Sequence, residues 1–213
     1  MQLYSYFRSS AAYRVRIALA LKGLDSEYLP IHLQKGEQRA EMYRMVNPLQ
    51  LVPTLIDDET TITQSLAIME YIEEKHPQPP LLPRSAEERA RVRAIALAIA
   101  CDIHPLNNLR VLQYLVHTLK VSDEAKNQWY RHWIEVGLAA LESTLEDDAA
   151  TGRCCHGDTP TIADACLIPQ LANARRMNIP LTSYPTLLRI DEYCGGLEAF
   201  SRAAPERQPD AQT

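Results

Sequence analysis

Ser9 and Ser10 stand where the residue pattern changes character. Residues 3–7 are aromatic and strand-prone, whereas Ala11, Val15, Ala18 and Leu19 fall at i, i+4, i+7 and i+8, one face of a helix. A helix begun there sets unpaired backbone N–H groups and the positive end of its dipole beside two hydroxyls. That setting favours an anion such as a carboxylate, phosphate or thiolate. A serine in the same place also simply caps a helix, so the pair alone leaves both readings open. Gln64-Ser65 opens a second helix and adds a side-chain amide suited to a carboxylate. Between the two lies Val52-Pro53, just before a strand-like run, where a cis bond, adopted by about 5% of X–Pro pairs, would turn the Val52 backbone outward to an extended peptide. One ligand bearing a carboxylate, peptide groups and a thiol would use all three places.

The elements that must position these residues follow from the pattern. Residues 26–33 alternate, and Pro30, which cannot donate to a ladder, assigns that strand to a sheet edge. A polar segment with helical leanings runs from Glu37 to Val46. Thr54 to Ile56, a turn at 57–59, and Thr60 to Thr63 read as a hairpin, and Leu66 to Lys75 as a helix with Ser65 as its N-cap. This order predicts a small α/β domain over 1–82. His76 to Pro83 packs four prolines into a stiff linker. From 88 to 213 the pattern is all-helical. Val92, Ile95, Ala96, Ile99 and Ile103 make one long stripe, bent at Pro105, and Trp129, Trp133, Val136 and Ala140 mark a second helix at core spacing. Thr161-Ile162-Ala163-Asp164 resembles a capping box, and Pro185 suits the first turn of a helix ending near Gly195. The tail from Pro205 is expected to be loosely held.

The bulk numbers exclude several classes. A net charge of −5 over 213 residues leaves no basic footprint for nucleic acid. No apolar run is long enough to span a membrane, and an apolar leader is lacking, so a soluble cytoplasmic protein with a small partner is expected. Five cysteines at irregular spacing do not form a disulfide framework. Cys154-Cys155-His156 and Cys101…His104 lack zinc-ligand spacing, so no metal is expected.

Tyr6-Phe7-Arg8-Ser9-Ser10, Arg14-Val15-Arg16-Ile17-Ala18-Leu19, Gln50-Leu51-Val52-Pro53 and Gln64-Ser65-Leu66-Ala67-Ile68 recur in a known order. Asp102-Ile103-His104-Pro105-Leu106-Asn107-Asn108, Gly157 to Asp164 and Gln208-Pro209-Asp210 continue it. Over almost its whole length the chain resembles the zeta class of glutathione transferases. The resemblance implies a thioredoxin-like N-terminal domain followed by an all-helical C-terminal one, glutathione as cofactor, and a homodimer. It places Ser9 beside the glutathione sulfur with Ser10 next to it, Val52 on the cysteinyl backbone, Gln64 and Ser65 on the γ-glutamyl end, and Gln38 near the glycyl end. His104 and Asn108, taken as i and i+4 on one helix face, would reach the ligand from the second domain. Arg176 would bind a substrate carboxylate, with Arg8 and Arg110 as further substrate partners. Arg14 and Arg16 lie on the helix and are expected to make structural pairs.

The activity implied by the class is glutathione-dependent cis–trans isomerisation of maleylacetoacetate to fumarylacetoacetate in aromatic catabolism. Maleylpyruvate is the rival substrate, favoured by Arg110 and the 102–105 segment. A transferase that conjugates glutathione to an electrophile is a further rival within the same fold, and a non-catalytic glutathione-binding module is the rival from a different class. Ala11 stands where the class commonly carries a cysteine, which removes a protein thiol from the site. The nucleophile of the implied reaction is glutathione's own sulfur, so isomerisation is expected to survive that loss.

Overall fold

The computed structural model describes residues 1–212, and by contacts the chain divides into two compact units. Unit 1 comprises Met1–Leu82 together with Gly195–Thr213, and unit 2 comprises Pro83–Cys194.

Unit 1 is built on a four-stranded sheet in the order β2-β1-β3-β4. Its strands are β1 (Gln2–Ser5), β2 (Glu27–Pro30), β3 (Thr54–Asp57) and β4 (Thr60–Thr63). β1 pairs parallel with β2 and antiparallel with β3, and β3–β4 is the expected hairpin. Pro30 does sit on an edge strand, although that strand stops at 30 and gives way to a 3₁₀ turn, Leu33–Lys35. The polar segment after it divides into a 3₁₀ turn, Glu37–Arg39, and a short helix α2 (Glu41–Val46). α1 (Ser10–Lys22) and α3 (Ser65–Lys75) pack together, and their inner faces bury Val15, Ile17, Ile68, Met69 and Ile72 completely. α1 stops at Gly23, whose left-handed φ of 67° lets its N–H return to the Ala20 carbonyl.

The proline-rich stretch is packed, not merely a spacer. Glu73, on α3, accepts the backbone N–H groups of Leu81 and Leu82 and pairs with the fully buried Lys22 ammonium. Both leucines are buried in consequence.

The tail expectation is corrected. α9 (Glu198–Ala203), which the periodicity does not announce, lies against α1, and two 3₁₀ turns follow it. Gln208 donates to the Arg202 and Ala204 carbonyls, and Asp210 is buried. Residues 195–212 pack with the α/β unit because α1 offers them carbonyl-seeking Arg16 and an apolar flank for Phe200. Helical patterning groups them with 88–213 because it reports local structure, not the neighbour a helix packs on.

Unit 2 is helical throughout. α4 (Ala86–Leu97) starts in a complete capping box, Ser85 with Glu88. The long stripe does not continue as one α-helix. It widens into a π-helical turn, Ala98–Ile103, then tightens into a 3₁₀ turn, His104–Asn107, holding Pro105, before α5 (Leu109–His117) begins. α6 (Asp123–Leu145) crosses the π turn so closely that a Cβ on Gly137 would collide with the Ile103 side chain. α7 (Ile162–Arg176) and α8 (Pro185–Gly195) complete the unit, starting where Thr161 and Pro185 predicted. Its core is Ile99, Ile134, Leu138, Leu167, Leu171, Leu187 and Ile190.

Candidate functional site

Strand register decides what can meet in unit 1. Tyr4 pairs with Thr54, and Thr54 with Thr63. The end of β1, the start of β3 and the end of β4 therefore share one edge of the sheet. The end of β2 joins them, since Pro30 lies opposite Ser5. Every segment singled out in the first domain leaves the sheet at that end: Tyr6 to Ser9, Leu51 to Pro53, Gln64-Ser65, and the turn bearing Gln38.

Ser9 is the N-cap of α1, with extended backbone at φ −72°, ψ 112°, and its Oγ accepts the Ala12 N–H at 3.2 Å. Accepting there leaves the hydroxyl's own proton to donate to an anion. Ser10 is the first residue of the helix and is buried. The Val52–Pro53 bond is cis, and Val52 is buried in one apolar cluster with Tyr6 and Tyr43.

Ser65 is not the N-cap that the pattern predicts. That position belongs to Gln64, whose φ of 71° and ψ of 119° are rare for a residue with a Cβ. The Gln64 side chain makes no capping bond, and it is exposed. Ser65 is the first helical residue, and its Oγ accepts from Nη1 of Arg14 at 3.2 Å. Arg14 thus ties α1 to the start of α3, and the expected structural role of the two α1 arginines holds. Gln38 is buried, and its Oε1 has no hydrogen-bond partner among the described residues, as is also true of Gln170 Oε1.

The helix starts differ in charge. α2, α4, α6, α7 and α9 carry carboxylates in their first turns, whereas α1, α3, α5 and α8 carry none, and of these four α1 and α3 start at the sheet edge. The positive dipole ends at the sheet edge are thereby left unneutralised.

Two groups from outside the Tyr6–Ser9 loop hold it in place. Arg16, buried on α1, donates to the carbonyls of Tyr6, Phe7 and Ala203 and to Ser5 Oγ, and burial pulls its pKa down to about 10. Asp210 accepts the Phe7 N–H and the Tyr28 hydroxyl. Arg8, in the same loop, is exposed and lies 5.1 Å from the Phe7 ring.

In unit 2, His104 and Asn108 do not share a helix face. His104 opens the 3₁₀ turn, while Asn108 is extended, at φ −64° and ψ 144°, and caps α5 by accepting the Arg110 N–H. Pro105 has no N–H to continue an α-helix, so i, i+4 spacing fails across it. Arg110 is exposed in the first turn of α5. Arg176 ends α7, and its Nη2 donates to the Tyr130 hydroxyl at 2.9 Å.

Buried thiols gather at the start of α7, where donor atoms of Cys154, Asp164 and Cys194 lie within 4.8 Å of one another. The Asp164 carboxylate is committed to the backbone: Oδ1 accepts from Cys155 N–H, and Oδ2 from the Thr161 N–H and hydroxyl. This is the expected capping box, extended by one bond to the preceding loop. Burial pushes the Cys155 thiol well up, which suits packing and opposes thiolate chemistry. His156 lies apart from this group, beside Arg91 and 3.8 Å from Glu88.

Residues 1–74 match the glutathione S-transferase N-terminal domain. A probable maleylacetoacetate isomerase of Vibrio cholerae is 51% identical over 98% of this chain and 97% of its own. A holo structure of maleyl pyruvate isomerase, a bacterial zeta-class glutathione S-transferase, superposes with a TM-score of 0.96 at 48% identity, covering 99% of each chain. Maleylacetoacetate isomerase from Methylobacterium extorquens AM1, with bound malonate and glutathione, gives 0.96 at 40% identity over 98% of each chain. The fold, an N-terminal thioredoxin-like sheet unit with a helical unit, is that of a glutathione transferase. Within that class the chain belongs to the zeta family of maleylacetoacetate and maleylpyruvate isomerases.

Proposed function

We propose that the protein is a glutathione-dependent cis–trans isomerase converting maleylacetoacetate to fumarylacetoacetate, working as a homodimer in the cytoplasm. The observation that carries this reading is the pair of carboxylate-free helix starts at one sheet edge, with a donor-ready Ser9 at one of them. The residues present fit glutathione, since the α1 start beside Ser9 suits a thiolate and the α3 start suits a carboxylate. Ser9 and Ser10 are assigned to the sulfur, Val52 to the cysteinyl backbone, Gln64 and Ser65 to the γ-glutamyl end, and Gln38 to the glycyl end. His104 and Asn108 are assigned to glutathione as well, and Arg8, Arg110 and Arg176 to the substrate carboxylates.

Glutathione, when bound, supplies the sulfur nucleophile whose reversible addition frees the maleyl double bond to rotate. The chain's part is electrostatic. Ser9 donates a hydrogen bond to the sulfur, and the α1 dipole adds to that stabilisation, so the thiolate fraction rises at neutral pH. Arg176 receives a carboxylate and leaves the reacting double bond oriented. No protein thiol takes part, consistent with Ala11.

Maleylpyruvate is the second reading, supported by the likeness to the maleyl pyruvate isomerase structure. The exposed side chains of Met42, Met45 and Leu49 in unit 1 support an assembly of copies. The deciding experiment follows each maleyl substrate spectroscopically with and without glutathione, while titrating free thiol. Conversion that needs glutathione and leaves its concentration unchanged supports the isomerase, and the faster substrate names the physiological one. Stoichiometric loss of thiol would replace the reading with a conjugating transferase.

A further inference from the structure

Arg91, Arg153 and Arg175 each pair with an aspartate, whereas Arg176 makes no ion pair among the described residues. Its one hydrogen bond there is to a neutral hydroxyl, that of Tyr130. The residue is exposed, and its guanidinium has four further N–H groups to offer.

Tyr130 is built to hold a position. Only 5% of it is exposed, it lies within α6, and its carbonyl accepts the Asn107 amide at 3.1 Å. The neighbouring Trp129 indole donates to the Leu106 carbonyl at 2.8 Å. These two bonds clamp this part of α6 to the 3₁₀ turn that runs from His104 to Asn107. A long arginine at a helix end samples many rotamers, and each costs entropy when a ligand selects one. A carboxylate partner would restrict the side chain but cancel its charge. A phenol restricts it and leaves the charge intact.

We propose that Tyr130 is the positioning residue for Arg176, orienting the guanidinium for a substrate carboxylate without neutralising it. The proposal rests on Arg176 being the carboxylate-binding residue. A purely structural cation at the negative end of α7 would need no such partner.

The test compares Tyr130→Phe, Arg176→Ala and the double variant. It reads KM and kcat for the maleyl substrate, and the Kd of malonate by calorimetry on the glutathione-loaded protein. Tyr130→Phe keeps the buried ring and is expected to raise both KM and the malonate Kd about 5- to 20-fold, with kcat and the glutathione Kd within about twofold. Arg176→Ala is expected to raise them further, and adding Tyr130→Phe to it to change nothing more. Normal KM and malonate binding in Tyr130→Phe, beside a clear loss in Arg176→Ala, overturns the proposal alone. Additive losses in the double variant, or a weakened glutathione Kd in Tyr130→Phe, overturn it too, because they mark a general packing role. If Arg176→Ala itself leaves malonate binding intact, the assignment of Arg176 fails and the proposal falls with it.

Discussion

The Oδ2 atom of Asp210 accepts the backbone N–H of Phe7 at 3.0 Å, joining residues 203 positions apart. Its Oδ1 takes the Tyr28 hydroxyl at 2.6 Å, and burial, followed by this bond, pushes the Tyr28 pKa up. The last residues of the chain therefore hold the loop that delivers Ser9. Asp210→Ala removes the acceptor of a half-buried N–H and of a half-buried phenol, at a cost of about 1 to 3 kcal/mol. A Tm lower by roughly 5 to 10 °C and weaker glutathione binding are expected by scanning calorimetry and titration. Unchanged glutathione affinity would mean that the loop holds its shape without the tail.

Ser9→Ala removes both a helix cap and the proposed donor to sulfur. Loss of the cap costs about 1 kcal/mol of stability, a modest effect. Loss of the donor is expected to lower kcat/KM about 100-fold and raise the pKa of bound glutathione, read from thiolate absorbance against pH. The two effects separate cleanly, since a cap alone does not move the thiol titration.

Asp164 is fully buried, and burial raises its pKa despite the bonds from Cys155 and Thr161 that stabilise its anion. Asp164→Ala strands those backbone donors and is expected to cost about 3 to 4 kcal/mol in urea unfolding. Asp164→Asn retains one acceptor oxygen and is expected to lose less. Equal stability of the two variants would contradict the capping account.

Hydrogen bonds from Lys75 and then Tyr71 hold the Asp57 carboxyl below its usual range. A carboxyl depressed on folding contributes stability above its unfolded pKa, near 4, and loses it as pH falls through the folded value. The stability gap between the native protein and Asp57→Asn is therefore expected to be widest near neutrality and to close below about pH 4. Unfolding curves at pH 7 and pH 3 check this; a gap that widens in acid contradicts the assignment.

Much of this protein is legible without its tertiary structure. The hairpin at 54–63, the edge placement of Pro30, the capping box at Thr161 and Asp164, and the start of a helix at Pro185 depend on residues close in the chain. Local sterics and local hydrogen bonds decide them. Ser9 as a helix start is readable for the same reason. Extrapolation fails where one local rule meets another. Apolar spacing runs straight through 92–103, yet the close passage of α6 at Gly137 and the missing N–H of Pro105 break the helix and turn Asn108 away from the face of His104.

Short-range chemistry in the chain specifies which segments are strands and helix starts, and which residue types could meet an anion, because those properties depend on neighbours a few positions away. Long-range packing alone has Asp210 support the Ser9 loop, Arg14 hold Ser65, and Tyr130 take Arg176. Those pairings join residues 46 to 203 positions apart. No periodicity encodes such a distance, and only the packing of whole elements against one another brings them into reach.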